Sequence, residues 1–169
     1  MTNTPTARMP VAGEVPGVLT KVVIGLDGTD PSLQAVAQLA PLVQTLGGEV
    51  VAVFVRHLPV LADSSAGEAM VIVEETIDDL ALEARTDAEQ LLGPIGVKWS
   101  FVVRGGDPAQ EILAVAHELK ASMVAVGATI HGSLTSLLVS SVAAQLLHHC
   151  DLPLLIIRPQ AGGEAAPPA

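Results

Sequence analysis

Apolar residues fall along this 169-residue chain in two alternating patterns. Short continuous runs rich in β-branched residues predict five strands, at about 21–26, 50–55, 97–103, 122–126 and 152–158. Between them, apolar residues that recur every three or four positions predict four helices, at about 31–46, 70–92, 107–120 and 136–150. This alternation is typical of a parallel sheet with helices on both faces. Because polar residues do not alternate within the runs, we expect the strands to be buried on both faces.

The order of the predicted elements indicates a fold class and a place for a ligand. Right-handed crossovers favour the strand order 3-2-1-4-5, so we predict an α/β fold with a flavodoxin-like, Rossmann-like, doubly wound sheet of five parallel strands. Ligands of such sheets bind at the carboxyl ends of the strands where the winding reverses, here between strands one and four. Strand one ends at Leu26-Asp27-Gly28, and strand four ends at Val126-Gly127-Ala128-Thr129. We therefore predict a nucleotide-like site between Asp27 and the 127–133 loop, near the free N–H groups of a helix that begins at 135–141.

The first predicted helix has residues that favour its start and its end, and one residue that is unfavourable inside a helix. Residues 29–30 can cap its N-terminus, and Pro31 suits the first turn, where no backbone N–H is needed. The two glycines at 47–48 are expected to end the helix. Pro41 lies inside it and costs about 3 kcal/mol unless the helix bends there.

Composition and charge exclude several classes of protein. Because 50% of the residues are hydrophobic, a disordered chain is excluded. Lys and Arg number 8 against 18 Asp and Glu, and only 2% of residues are aromatic, so no nucleic-acid partner is expected. No apolar run approaches the roughly 20 residues of a membrane span, so no membrane partner is expected either. The net charge of −10 is concentrated on one predicted helix at 68–89, which we expect to turn its acidic face to solvent.

The chain is predicted to form one domain between two tails. Residues 1–20 contain three prolines and no apolar core suited to a signal peptide, which indicates a flexible N-terminal arm. Residues 160–169 are Ala, Gly, Pro, one Gln and one Glu, which indicates a flexible C-terminal tail. The domain itself spans 21–159. A single cysteine, Cys150, without a secretion signal is typical of the reducing cytoplasm, so we expect a cytoplasmic protein.

The turn after strand one lacks the motifs of several nucleotide-binding and enzyme folds. Neither a G-x-G-x-x-G fingerprint nor a phosphate loop ending in Gly-Lys-Ser/Thr follows the strand. Strand three ends in Arg104-Gly105, where a phosphorylated receiver domain would need an aspartate. No G-x-S-x-G elbow of a hydrolase occurs. We therefore predict no catalytic residue.

The histidines predict no metal site. His148, His149 and Cys150 are consecutive on a helix, so their side chains diverge by about 100° each and do not converge on one ion. His57, just after strand two, is expected to be a solvated loop residue. For His131, in the loop after strand four, contact with a ligand and a solvated position are both open.

Several segments taken together resemble the universal stress protein family. The residues that carry the resemblance are Val23–Thr29, Gly106–Pro108, Val124–Gly127, Leu137–Val142 and Asp151–Pro159. The resemblance covers nearly all of residues 21–159, and it implies the same flavodoxin-like fold.

Nucleotide-binding members of that family carry, after strand four, a glycine, two residues, a second glycine, nine residues, and then Gly-Ser/Thr. This chain has Gly127 at the first position, but Ile130 at the second and Ser140 at the third, followed by Ser141. A β-branched residue is the poorest substitute for a glycine that takes a positive φ close to a phosphate. Ser140 still offers an N–H and a hydroxyl, so the change at Ile130 is expected to weaken the phosphate site more.

A shifted anion site is a hypothesis for the same loop. Gly132 and Ser133 could supply backbone N–H groups to an anion, with His131 as a further donor. A loop whose N–H groups point away from the crevice would contradict it.

The resemblance also implies roles around the predicted crevice. Asp27 would contact the ribose or the base of a nucleotide, and the backbone of Val55 would contact the adenine. The residues placed against the phosphates and ribose are Gly127, Ser140, Ser141 and Val142. Each of these residue types also has a structural interpretation: a turn for Asp27 and Gly127, and helix capping or packing for the two serines.

By resemblance, the protein is expected to be a stress-response binding or regulatory module with a modified site for ATP or another adenine nucleotide. Mg²⁺ could bind together with the nucleotide. At most slow ATP hydrolysis is expected, because no general base, Lys or Arg is placed at the phosphates. The alternative is a member that has lost ATP binding and acts by dimerisation or through a protein partner. An enzyme related to the adenine-nucleotide alpha-hydrolases is disfavoured, since Asp27-Gly28-Thr29 is not their Ser-Gly-Gly phosphate loop.

The last predicted strand is expected to form a dimer interface. Dimers of the family pair through this strand, here Leu154–Ile157. In the predicted order it is an edge strand, and an apolar, unpaired edge favours aggregation unless something covers it. We therefore expect a homodimer through residues 154–157.

Overall fold

The structure, a computed structural model, describes residues 20–57, 67–128 and 141–158. Its strands are β1 (Lys21–Gly25), β2 (Glu49–Arg56), β3 (Lys98–Gly105), β4 (Met123–Gly127) and β5 (Leu154–Ile157). Its helices are α1 (Asp30–Thr45), α2 (Gly67–Leu92), α3 (Pro108–Glu118) and α4 (Ser141–His149). Except for Thr20, the predicted N-terminal arm lies outside the described residues, as does the C-terminal tail. The boundaries of both tails therefore stay predictions.

The strands form one sheet in the predicted order, β3-β2-β1-β4-β5. Every pairing is parallel, and Val23 at the middle of β1 pairs with Val51 on one side and with Val124 on the other. The order reverses between β1 and β4, because the chain adds β2 and β3 on one side of β1 and then β4 and β5 on the other. The predicted fold class is confirmed.

Two hydrophobic cores lie on opposite faces of the sheet. In β1, Val22 and Ile24 pack with α1 and α2, whereas Val23 packs with α3 and α4, and all three side chains are fully buried. Successive side chains of a strand point to opposite faces, so a strand covered on both faces needs an unbroken apolar run. This explains why the central strands lack a polar alternation.

The two edge strands depart from the expectation of two-sided burial. None of the residues of β3 is buried, and in β5 only Ile157 is. Each has a neighbour on one side only among the described residues, β2 for β3 and β4 for β5. Two-sided burial therefore holds for β1, β2 and β4 but not for the edges.

The ends of α1 follow the sequence signals in part. Gly47, with φ of 71°, donates its N–H to the Gln44 carbonyl (3.0 Å), and Gly48 donates to the Val43 carbonyl (2.9 Å). These two bonds satisfy carbonyls at the end of the helix, as predicted for residues 47–48. At the other end, Thr29 is the N-cap residue, but its side chain makes no capping bond. The helix continues through Pro41 to Thr45.

The acidic face of α2 points to solvent over its described side chains. Asp78, Asp79, Glu83 and Glu89 are exposed, while the alanines at 81, 84 and 88 pack into the core. One carboxylate, Asp78, pairs with Arg56 at 2.6 Å, but both side chains are about half exposed, so the pair adds little stability. The described part of this acidic face is therefore exposed to solvent, as expected.

The C-terminus of α3 offers a stability test, because it ends on a non-glycine residue in the left-handed region. Lys120 has φ of 51°, and the bonds around it, from Lys120 N–H to His117 O and from Ala121 N–H to Ala116 O, are those that a glycine usually completes. The left-handed conformation destabilises a residue that has a Cβ by about 1–2 kcal/mol. Glycine avoids this strain, but it loses more conformational entropy on folding, which offsets part of the gain. We expect Lys120→Gly to raise the free energy of unfolding by about 1 kcal/mol in urea denaturation. Lys120→Ala keeps the Cβ and should change little; an equal gain in both variants would contradict the backbone explanation.

Candidate functional site

A cavity of about 310 Å³ opens at the carboxyl ends of the central strands. Of the residues predicted for the site, five line it: Asp27, Val55, Gly127, Ser141 and Val142. The other four, His131, Gly132, Ser133 and Ser140, lie outside the described residues, as does Ile130. The cavity therefore lies at the position that the reversal of strand order predicts. The binding roles of these residues stay predictions.

The Asp27 carboxylate is held in a fixed position by the turn that follows β1. Its Oδ1 accepts hydrogen bonds from the Thr29 N–H (3.0 Å) and from the Thr29 hydroxyl (2.6 Å). Among the described residues, no donor approaches the second oxygen, Oδ2. Asp27 is thus a turn residue, and it also presents an acceptor to the cavity. Its structural role in the turn and its predicted role in ligand binding therefore do not exclude each other.

Ser32 lines the cavity, although the sequence does not predict it as a site residue. Its side chain is 5% exposed, its hydroxyl donates to the Thr29 carbonyl (2.9 Å), and the Asp27 N–H donates to it (3.4 Å). The hydroxyl therefore joins the first turn of α1 to the end of β1. A serine three residues after a possible N-cap was the signal in the sequence, since such residues often bond to a turn backbone.

Gly127 is required by close packing between β4 and α1. A Cβ built on it would lie 2.3 Å from the Pro31 carbonyl oxygen and 2.9 Å from the Ser32 nitrogen. Gly127 is not among the described glycines with positive φ, so the requirement is one of space. This packing explains the glycine without any ligand, and it brings the first turn of α1 to the edge of the cavity.

Val55 presents backbone polar groups to the cavity. The Val53 carbonyl accepts from the Leu26 N–H (2.9 Å) on the β1 side, and the Arg56 carbonyl accepts from the Gly106 N–H (3.1 Å) on the β3 side. Because successive residues of a strand direct their N–H and C=O groups to opposite sides, those of Val55 face the β1 side. The last pair between β1 and β2 is Gly25 with Val53, so β1 ends before it reaches Val55. Val55 therefore offers an N–H and a carbonyl that no strand residue occupies.

The charge of the described lining comes from a single carboxylate. Asp27 is its only acidic residue, His57 its only histidine, and none of the lining residues is Lys or Arg. In the described ranges, no group of three or more His, Cys, Asp or Glu side chains is placed to hold a metal ion. Across those same ranges, no helix is both long and apolar enough to span a membrane.

Comparison with known proteins identifies the family of the chain. A sequence model described as the universal stress protein family matches residues 19–158. The chain belongs to this family. It is 27% identical over 138 residues to Universal stress protein MJ0531 of Methanocaldococcus jannaschii, an alignment that covers 82% of this chain and 81% of the relative.

Solved structures of universal stress proteins share the fold. One, described as a universal stress protein in complex with cAMP, is 21% identical with a TM-score of 0.59, over 84% of this chain and 98% of the other. Another, a family protein from Arabidopsis thaliana with AMP bound, is 18% identical with a TM-score of 0.60, over 84% and 93% of the two chains. At these identities the likeness concerns the fold alone, and it agrees with the flavodoxin-like class predicted from the sequence.

Proposed function

We propose that this universal stress protein is a regulatory binding module whose cavity holds an adenine nucleotide. Two features of the described residues carry the proposal, and both lie in one cavity: no described donor approaches the Asp27 Oδ2, and no described strand pairs with the backbone edge of Val55. A carboxylate is the usual acceptor for ribose hydroxyls in doubly wound folds, and a strand edge presents a donor and an acceptor side by side. Two universal stress proteins of the same fold are described as complexes with cAMP and AMP, which supports this ligand class.

The proposed orientation follows from the arrangement of the lining residues. The base lies against Val55, the ribose lies at Asp27, and the phosphates point to Gly127, Ser141 and Val142. The cavity, at about 310 Å³, is at the small end of the range for small-molecule sites. A mononucleotide or a cyclic nucleotide is therefore a ligand of suitable size for the described part of the cavity.

We propose binding without rapid turnover. Phosphoryl transfer depends on cationic groups that neutralise charge in the transition state, and the described lining has no Lys or Arg. Asp27 is the only described lining carboxylate that could accompany a Mg²⁺ ion brought in by a nucleotide. The cytoplasmic location predicted from Cys150 belongs to the same proposal.

The test is to look for the nucleotide directly. Purified protein is denatured and the supernatant is analysed by mass spectrometry, and the emptied protein is titrated with ATP, ADP, AMP and cAMP by calorimetry. We expect saturable binding of at least one adenine nucleotide. An absence of both released nucleotide and binding heat would overturn the proposal and favour a family member that acts through dimerisation or a protein partner.

The outer edge of β5 supports a second proposal, a homodimer through Leu154–Ile157. Within the described part of the chain this strand pairs with β4 alone, so one row of backbone N–H and C=O groups has no strand partner. Three of its four apolar side chains are only partly buried. A second copy of the strand would satisfy the backbone groups and cover the side chains.

A charged residue on this edge should disrupt the dimer. We expect Ile156→Lys to shift the protein from dimer to monomer or aggregate, because a lysine on the edge opposes strand pairing. The measurement is size-exclusion chromatography with light scattering, with circular dichroism to confirm folding. Val103→Lys places the same charge on β3, the opposite edge, where Val103 is 39% exposed, and should leave the dimer intact. An Ile156→Lys protein that is folded and still dimeric would argue against this interface.

A further inference from the structure

We propose that His57 is a specificity-determining residue of the cavity, whose imidazole accepts a hydrogen bond from the 6-amino group of adenine and so disfavours 6-oxo purines. The inference rests on the proposed function, because it concerns the nucleotide of the same site. It assigns a role to a residue that the sequence predicts to be a solvated loop position, and it gives a direction of base selectivity.

His57 lies at the end of the cavity where the base is proposed to bind. It follows Val55 by two residues, immediately after β2, and both residues line the cavity. Its side chain is exposed, as expected for a residue after a strand, so a ligand can reach it without a change of fold. A base held by the Val55 backbone is thus adjacent to the imidazole.

Gly106 fixes the position of the imidazole by bonding to two consecutive residues. Its N–H donates to the Arg56 carbonyl (3.1 Å), and its carbonyl oxygen lies 3.2 Å from the His57 Nδ1. Gly106 has φ of 141°, a conformation that residues with a side chain rarely adopt, and a Cβ there would lie 3.2 Å from the Glu111 Oε1. The backbone that holds the ring is therefore itself specific to glycine.

The bond to Gly106 determines which ring nitrogen can accept a hydrogen bond. A carbonyl oxygen only accepts, so the proton of a neutral imidazole must lie on Nδ1 for this bond to form. The other nitrogen, Nε2, then carries a lone pair and is an acceptor. The tautomer thus makes the free edge of His57 complementary to a donor.

This complementarity distinguishes purines by the group at C6. The 6-amino group of adenine donates a hydrogen bond to Nε2, whereas the 6-oxo group of hypoxanthine or guanine brings a second acceptor against it. Sites that use a polar group to bind a ligand group disfavour an analogue that leaves the polar group unpaired. His57 therefore favours adenine over hypoxanthine, which carries an oxygen at C6 and a hydrogen on N1.

The test compares AMP with IMP by calorimetry. We expect wild-type protein to bind AMP at least about tenfold more tightly than IMP. His57→Phe keeps a ring but removes the acceptor, so AMP affinity should fall by about tenfold and the AMP/IMP ratio should fall with it. Gly106→Ala, which displaces the ring, should also lower the ratio. His117→Phe removes an exposed histidine that does not line the cavity and should keep the wild-type ratio.

The outcomes separate this inference from the function on which it rests. If wild-type protein binds AMP and the AMP/IMP ratio is the same in His57→Phe, the inference is wrong and the nucleotide site stands. If wild-type protein binds neither AMP nor IMP, nor ATP, ADP or cAMP in the same calorimeter, both the inference and the proposed function are wrong. A folded His57→Phe protein with AMP affinity and selectivity reduced together supports the inference.

Discussion

Replacing Gly127 by alanine should lower the free energy of unfolding by about 3 kcal/mol. The new Cβ would lie 2.3 Å from the Pro31 carbonyl oxygen, 2.6 Å from the Pro31 carbonyl carbon and 2.9 Å from the Ser32 nitrogen. All three are backbone atoms, so no side-chain rotation relieves the overlap. The first turn of α1 must move away from β4, which disturbs the packing of Val36 and Leu39 in the core beneath it.

Gly105 provides a matched control for this substitution. Like Gly127 it is the last residue of its strand, but a Cβ on Gly105 would meet no atom within 4 Å. Its backbone is not among those with positive φ, so alanine adds no strain. We expect Gly105→Ala to change stability by less than about 0.5 kcal/mol in the same urea titration. Equal effects of the two substitutions would contradict the packing explanation.

Replacing Asp27 by alanine should weaken AMP binding by about 10- to 100-fold. The reason is the loss of a charged acceptor whose orientation Thr29 already fixes, so that little entropy is lost when a ribose hydroxyl binds to it. Asp27→Asn keeps one carbonyl oxygen for the ribose and should have a smaller effect. Calorimetric titration of the purified variants measures both.

Asp30 supplies the control for Asp27. It is an exposed aspartate three residues further along the chain, at the first position of α1, and it does not line the cavity. Asp30→Ala removes the same charge from nearly the same place, so it accounts for any long-range electrostatic effect on an anionic ligand. An Asp27→Ala protein that binds AMP as tightly as Asp30→Ala would show that the carboxylate makes no contact with the nucleotide.

The sheet could be predicted from the sequence because each strand is marked by its own short apolar run, and such runs recur along the chain. The unbroken apolar run at Val22–Ile24 is expected for a strand that is covered on both faces. The right-handed crossovers of such a sheet then allow few strand orders. The same order places the crevice between β1 and β4, without reference to any particular side chain. Asp27 and Gly127 could be selected in advance because each lies at the carboxyl end of one of those two strands.

The details of the site could not be predicted, because they depend on distances between elements. Helix α1 approaches β4 so closely that a Cβ at Gly127 is excluded. This distance depends on how the helix packs on the sheet, and no local sequence pattern predicts it. The free backbone edge of Val55 arises because β2 extends beyond β1, and strand ends are poorly determined by sequence. The contact between His57 and Gly106 joins residues 49 positions apart, so periodicity gives no sign of it.

The central claim is that an adenine nucleotide binds in the cavity between β1 and β4. The most direct measurement is a titration of ¹⁵N-labelled protein with AMP, followed through its amide resonances. We expect saturable shifts at Val55, Gly127 and Ser141, and unchanged resonances for Gly47 and Gly96, which lie at the opposite end of the sheet. An unchanged spectrum, or shifts confined to the surface between α1 and α2 around Leu33 and Leu91, would contradict it.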